Sequence, residues 1–165
     1  MRNHAIAPIA AGILLAVTGA AQAANKQTSF NVTANVASNC VVSATDLAFG
    51  AYIAAADVTG SSSVKVRCTK NTGYTVKLGT GLGSFAQRTM LKGTDVLNYN
   101  LYTTNGYASV WGDGTATTAT LGGTGAGLSA ASEFTHTVYG KLPNAGNEDA
   151  PVGNYADSIQ VTVEY

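Results

Sequence analysis

Apolar residues recur at every second position along most of this chain. Phe30, Val32, Ala34 and Val36 alternate with Asn31, Thr33 and Asn35. Val64, Val66 and Cys68 repeat the pattern, followed by Tyr74, Val76 and Leu78, by Leu97, Tyr99 and Leu101, and by Phe134, His136 and Val138. A last run comprises Ile159, Val161, Val163 and Tyr165. A period of two sets one face of a strand against a core and leaves the other in water. Thr, Val and Tyr are plentiful in these runs, as a pleated, half-buried surface favours. Asn105-Gly106 and Asp113-Gly114 are tight-turn pairs between runs. Beyond residue 23 no 3.6-residue apolar stripe is found. The pattern therefore predicts an all-β domain of short strands, most simply a sandwich. Residues 51–58 read as a short helical turn or a loop. Residues 112–131, rich in Gly, Thr and Ser, read as a hairpin with a long, mobile loop.

Residues 1–23 read as a secretory signal peptide: Arg2, an apolar core over residues 6–17, then Ala21-Gln22-Ala23 as a small-x-small cleavage site. The competing reading is a membrane anchor, but the apolar core is short, and Pro8, Gly12 and Gly19 interrupt the segment. Nine basic and nine acidic residues cancel. There is no basic patch for nucleic acid and no Lys/Arg cluster for a lipid surface. An exported chain with two cysteines, Cys40 and Cys68, is expected to join them in one disulfide. A two-thiol metal or redox site lacks support, because there is no C-x-x-C and the two histidines are His4 and the isolated His136.

Candidate catalytic chemistry fails on inspection. GTGLG at 79–83 resembles a nucleotide loop, but such a loop needs a following helix whose N-terminus meets phosphate. Asp113 is one carboxylate where calcium wants six to eight oxygens. Glu148 and Asp149 are chain neighbours and cannot flank a substrate as glycosidase carboxylates do. His136 has no nucleophile in a G-x-S-x-G and no third partner, and is expected to be a partly buried strand residue. No enzyme activity, cofactor or metal is expected.

The order of several segments carries a family resemblance. FNVTANVASNCVVSATDLAFGAY, SSVKVRCTKNTGYTVKL, RTMLKGTDVLNYNLYT, WGDG, VYGKLP and VGNYADSIQVTVEY follow one another as in the spore coat protein U family, whose Gram-negative members are pilins of archaic (Csu-type) chaperone–usher pili. The likeness spans essentially all of the chain after the signal. It implies an incomplete immunoglobulin-like β-sandwich over residues 39–165, with one disulfide, completed by a donor strand from elsewhere. It implies that residues 24–38 are the donor segment, with Phe30, Val32, Ala34 and Val36 entering a neighbour. It also implies that Ile159, Val161, Val163 and Tyr165 form the groove-facing and chaperone-facing final strand. The expected partners are a periplasmic pilus chaperone, an outer-membrane usher, and neighbouring copies or related pilins in a head-to-tail polymer. The expected place is a surface pilus, reached through the periplasm, that serves attachment and biofilm formation. The alternative is a secreted coat protein or an adhesive, carbohydrate- or surface-binding β-sandwich. Periodicity alone favours residues 30–36 as the first strand of a complete sandwich; the resemblance favours the donor reading.

Overall fold

The computed structural model describes residues 22–165, so all but the last two residues of the expected signal peptide, residues 1–23, lie outside the described residues. Eight strands follow in order: β1 (Cys40–Ala44), β2 (Val58–Cys68), β3 (Gly73–Leu78), β4 (Arg88–Lys92), β5 (Asp95–Tyr102), β6 (Leu121–Thr124), β7 (Phe134–Leu142) and β8 (Val161–Glu164). The single helical element among the described residues is a 3-10 turn at Ala130–Ser132. The strands form two antiparallel sheets, β1-β2-β7-β5-β4 and β6-β3-β8. Residues 51–58 hold no helix; they turn and lead into β2.

The alternation seen in the sequence is what packs the sheets together. Val64, Val66 and Val138 point inward from the five-stranded sheet, and Tyr74, Val76 and Leu78 meet them from the other. Trp111 lies in the connection after β5 and is fully buried. Its indole N–H donates to the Val76 carbonyl at 3.1 Å, which gives the one polar atom of the ring a partner. Cys40 and Cys68 sit directly opposite each other in the β1–β2 register and are joined. The bridge closes a span of 28 residues, worth about 3–4 kcal/mol in the chain-entropy account.

Two expectations change. Residues 112–131 are not simply a mobile hairpin loop, because they contain β6, which pairs with β3 from Gly73↔Thr124 to Val76↔Leu121. LGGT has no alternation to announce a strand. The glycines are what permit it, since a Cβ on Gly122 would collide with the Tyr74 carbonyl oxygen. Residues 30–36 carry the alternation of a strand, yet no strand includes any of residues 22–39. Residues up to Asn35 form one unit and Val36–Tyr165 another.

Candidate functional site: an open groove between the sheets

β8 is an edge strand. It pairs with β3 alone, through Val76↔Val163 and Leu78↔Val161. An edge of this kind presents free N–H and C=O groups to a further strand. Thr162 and Glu164 face solvent, while Val161 and Val163 turn toward the core and are only half covered. Ile159, just before the strand, is likewise half-buried against the core.

The facing wall is the chain that leaves β1. Leu47 and Phe49 lie across two glycines of the five-stranded sheet. A Cβ on Gly140 would stand 2.8 Å from Leu47 Cδ1 and 2.9 Å from Phe49 Cζ. Phe49 also sets its ring edge-on to Tyr99, with centroids 5.9 Å apart. Between this wall and the approach to β8 lies a cavity of about 410 Å³, lined by Ala44, Leu47, Phe49, Ile159 and Val161 and floored by core residues such as Val64, Leu101 and Val138. A second cavity of about 750 Å³ shares Leu47, Phe49, Met90 and Tyr155 with the first and extends along residues 150–155. The two cavities adjoin at these shared side chains, and core residues floor both, Val64, Leu101 and Val138 in the first and Leu97 and Leu142 in the second.

A polar clamp lies at the margin of the first cavity. Asp157, at its margin, accepts hydrogen bonds from the Tyr99 hydroxyl at 2.6 Å, the Leu82 amide at 3.1 Å and the Ser158 amide at 2.7 Å. Burial, then the hydrogen bond to Asp157, push the Tyr99 phenol far above its ordinary pKa, so it stays protonated and donating. The GTGLG segment belongs to this clamp. Gly81 has φ +62° and its Cβ position is taken by the Asp157 carboxylate. Arg88 anchors the other end of the same loop. Fully buried, it donates to the Gly79 carbonyl at 3.0 and 2.8 Å, to Asn100 Oδ1 at 2.6 Å and to the Trp111 carbonyl at 2.7 Å.

The residues singled out in the sequence fall into distinct places. Ile159 and Val161 line the groove, and Val163 packs against the core without lining either cavity. Tyr165 lies past the end of β8 and is 58% exposed. Phe30, Val32 and Val36 are 85%, 84% and 81% exposed, and Ala34 is exposed as well. Sequence reasoning missed Leu47, Phe49, Tyr99, Tyr155 and Asp157. Only the glycines opposite Leu47 and Phe49 hinted at a close approach there, and nothing local marked Asp157.

The other candidates resolve into local structure. Asp113 accepts from the Thr115 amide and hydroxyl in its own turn. Glu148 accepts from the Gly146 amide. Among the described residues, no group of three or more His, Cys, Asp or Glu side chains is placed to hold a metal. His136 faces inward, hydrogen-bonded to the Tyr74 hydroxyl at 3.1 Å and edge-on to Trp111. Burial lowers its pKa below the usual 6.5. The unfolded chain then takes up the proton more readily than the folded one, so the stability this neutral ring provides is complete above about pH 6.5 and is lost as pH falls toward the lower native value. The thermal midpoint is expected to drop between about pH 7 and pH 5 in the parent, and to drop less in His136→Gln. Equal slopes in the two proteins would remove His136 as the cause.

The Spore Coat Protein U domain family matches residues 26–162, most of the chain, and the chain belongs to that family. It is 29% identical to Protein U of Myxococcus xanthus over 181 aligned positions, which cover 98% of this chain and 97% of that one. Among solved structures it resembles a chain of the CsuC–CsuE chaperone–tip adhesion subunit pre-assembly complex from the archaic chaperone-usher Csu pili of Acinetobacter baumannii. The TM-score is 0.56 at 25% identity, over 79% of this chain and 40% of that chain. The protein thus spans well under half the length of the solved chain it matches.

Proposed function

We propose that this protein is a structural subunit of an archaic chaperone–usher pilus, and that its groove is filled by residues 30–36 of a neighbouring copy or related pilin. One observation carries the reading: the chain has an alternating apolar segment left exposed and a sandwich core left uncovered beside a free strand edge. The two are complementary in kind. An added strand would give β8 its missing ladder partner and place alternate side chains in the groove. Phe30, Val32 and Val36 would contribute roughly 1.5–3 kcal/mol each on full burial, and Ala34 less. A slip by one residue would turn Asn31, Thr33 and Asn35 inward, so the register is well specified. The interface is head-to-tail and does not close on itself, which makes a filament rather than a ring.

The same groove needs a temporary occupant before assembly. A periplasmic chaperone fits that need, with an outer-membrane usher as the place of exchange; the likeness to a subunit of a chaperone pre-assembly complex supports this. In this reading residues 24–38 are the donor segment, residues 39–165 the pilin domain, and Ile159, Val161, Val163 and Tyr165 the strand that the chaperone contacts. The filament would serve attachment at the cell surface. The family's description and the likeness to Protein U favour a second reading, a secreted coat protein built on the same sandwich.

The test is to add a synthetic peptide of residues 25–37 to the purified protein. Uptake should raise the thermal midpoint by several degrees, because a ligand that binds only the folded state stabilises it by mass action. A peptide carrying aspartate in place of Val32 should leave the midpoint where it was. No shift with the native peptide would sink the donor reading and leave the coat protein.

A further inference from the structure

Leaving aside Tyr165 at the exposed end of β8, whose hydroxyl also has no partner among the described residues, seven of the eight tyrosines divide by what their hydroxyls do. Those of Tyr52, Tyr74, Tyr99 and Tyr155 are hydrogen-bonded to Asn144, His136, Asp157 and the Pro151 carbonyl. Those of Tyr102, Tyr107 and Tyr139 have no hydrogen-bond partner among the described residues, and these three rings are gathered in one place. Tyr139 lies between the inward-facing Val138 and Gly140, so it faces out from the five-stranded sheet. Tyr102 stands directly opposite it on β5. The Tyr107 ring meets Tyr102 edge-on, with centroids 5.4 Å apart. Ser61 on β2 is the cross-strand neighbour of Tyr139 on the far side.

Tyr107 reaches this position at a cost. Its φ is +52°, a left-handed conformation that a bulky side chain rarely adopts. Such strain persists only where the surroundings hold it, and it concentrates at functional positions. Beside the rings, Lys141 Nζ lies 5.8 Å over the Tyr107 ring and 2.7 Å from Asp57 Oδ2. That ion pair leaves the patch without net charge. A nucleic acid or an anionic lipid surface would want uncompensated cations. A neutral sugar wants what is present: flat rings for the C–H face of a pyranose, and free phenol and serine hydroxyls for its rim of hydroxyl groups.

We propose that the outward face formed by Tyr102, Tyr107 and Tyr139, flanked by the Lys141–Asp57 pair, binds a neutral glycan chain. None of these residues lines the groove between the sheets, so glycan binding and strand uptake are separable properties.

The full chain is titrated calorimetrically with cellohexaose, chitohexaose and mannohexaose, alongside Tyr107→Ala, Tyr102→Ala and Tyr107→Gly. At least one of the sugars should bind the parent, and each variant should bind it about tenfold more weakly, the equivalent of one lost stacking contact. Glycine tolerates a positive φ, so Tyr107→Gly should keep or raise the thermal midpoint while losing the sugar. Three results overturn the proposal: no binding of any of the three sugars, binding that the tyrosine variants leave intact, or a Tyr107→Gly chain whose fold is plainly weakened, which would make the ring a packing element. Self-association of the parent that Tyr107→Ala abolishes, with no sugar bound, would assign the face to contact between copies instead.

Discussion

Asp at position 32 should leave the subunit folded and unable to join a second copy. Val32 is 84% exposed, so Val32→Asp is expected to change the stability of the subunit by no more than about 0.5 kcal/mol. In the proposed assembly the same side chain enters a groove floored by Val64, Leu101 and Val138. A carboxylate there meets no cation and loses its water, at a cost of several kcal/mol. The valine's own burial, about 1.5 kcal/mol or more, is forfeited as well. Together these cancel most of what the other donor side chains contribute. Electron microscopy of cells expressing the variant should show no filaments, while the purified subunit melts at the parent's temperature. Normal filaments from Val32→Asp would refute the assignment of residues 30–36 as the donor.

Removing the guanidinium at position 88 is expected to damage the sandwich itself. Arg88 is fully buried and, among the described residues, forms no ion pair; its donors go to two carbonyls and an amide oxygen. Desolvation lowers its pKa from the ordinary arginine value, yet a guanidinium stays charged at neutral pH. Arg88→Ala leaves the Gly79 and Trp111 carbonyls and Asn100 Oδ1 without those donors, and opens a void where the side chain lay. Losses of this kind come to roughly 3–5 kcal/mol, a large part of a domain's stability. Arg88→Lys keeps the charge but cannot reproduce the planar fork, so it should recover only part of the loss. Urea denaturation of the two variants measures both. A change under about 1 kcal/mol in Arg88→Ala would show that water replaces the missing donors, and that the hub is not what holds the loop over residues 79–87.

These two positions mark how far the sequence could be read. The alternating runs became β3, β5, β7 and parts of β2 and β8, because a period of two is a local property that the sheet simply uses. The two cysteines became cross-strand partners, as export and pairing imply. One wall of the groove, Ile159 and Val161, was visible in the same way. Arg88 was not, because a single charged residue leading a short strand looks like part of a solvated face. Only the tertiary structure brings the Gly79, Asn100 and Trp111 acceptors around it. The same holds for Asp157, whose partners come from residues 82, 99 and 158. β6 was hidden for the opposite reason. Its glycines carry no side-chain pattern, and its pairing depends on how closely backbones can approach. Residues 30–36 have the signature of a strand without being one, since a pattern states what a segment could pair with and not whether a partner is present.

The bridge between Cys40 and Cys68 has a mechanical consequence. In the proposed filament, tension would reach each subunit through the residues that precede Cys40. Without the covalent link that pull would fall on the five-residue ladder of β1, which could be peeled away one hydrogen bond at a time. With the link it passes at once to Cys68 and into β2, the longest strand, which has partners on both sides. A stretched fibre built this way should extend between its subunits before any of them unravels.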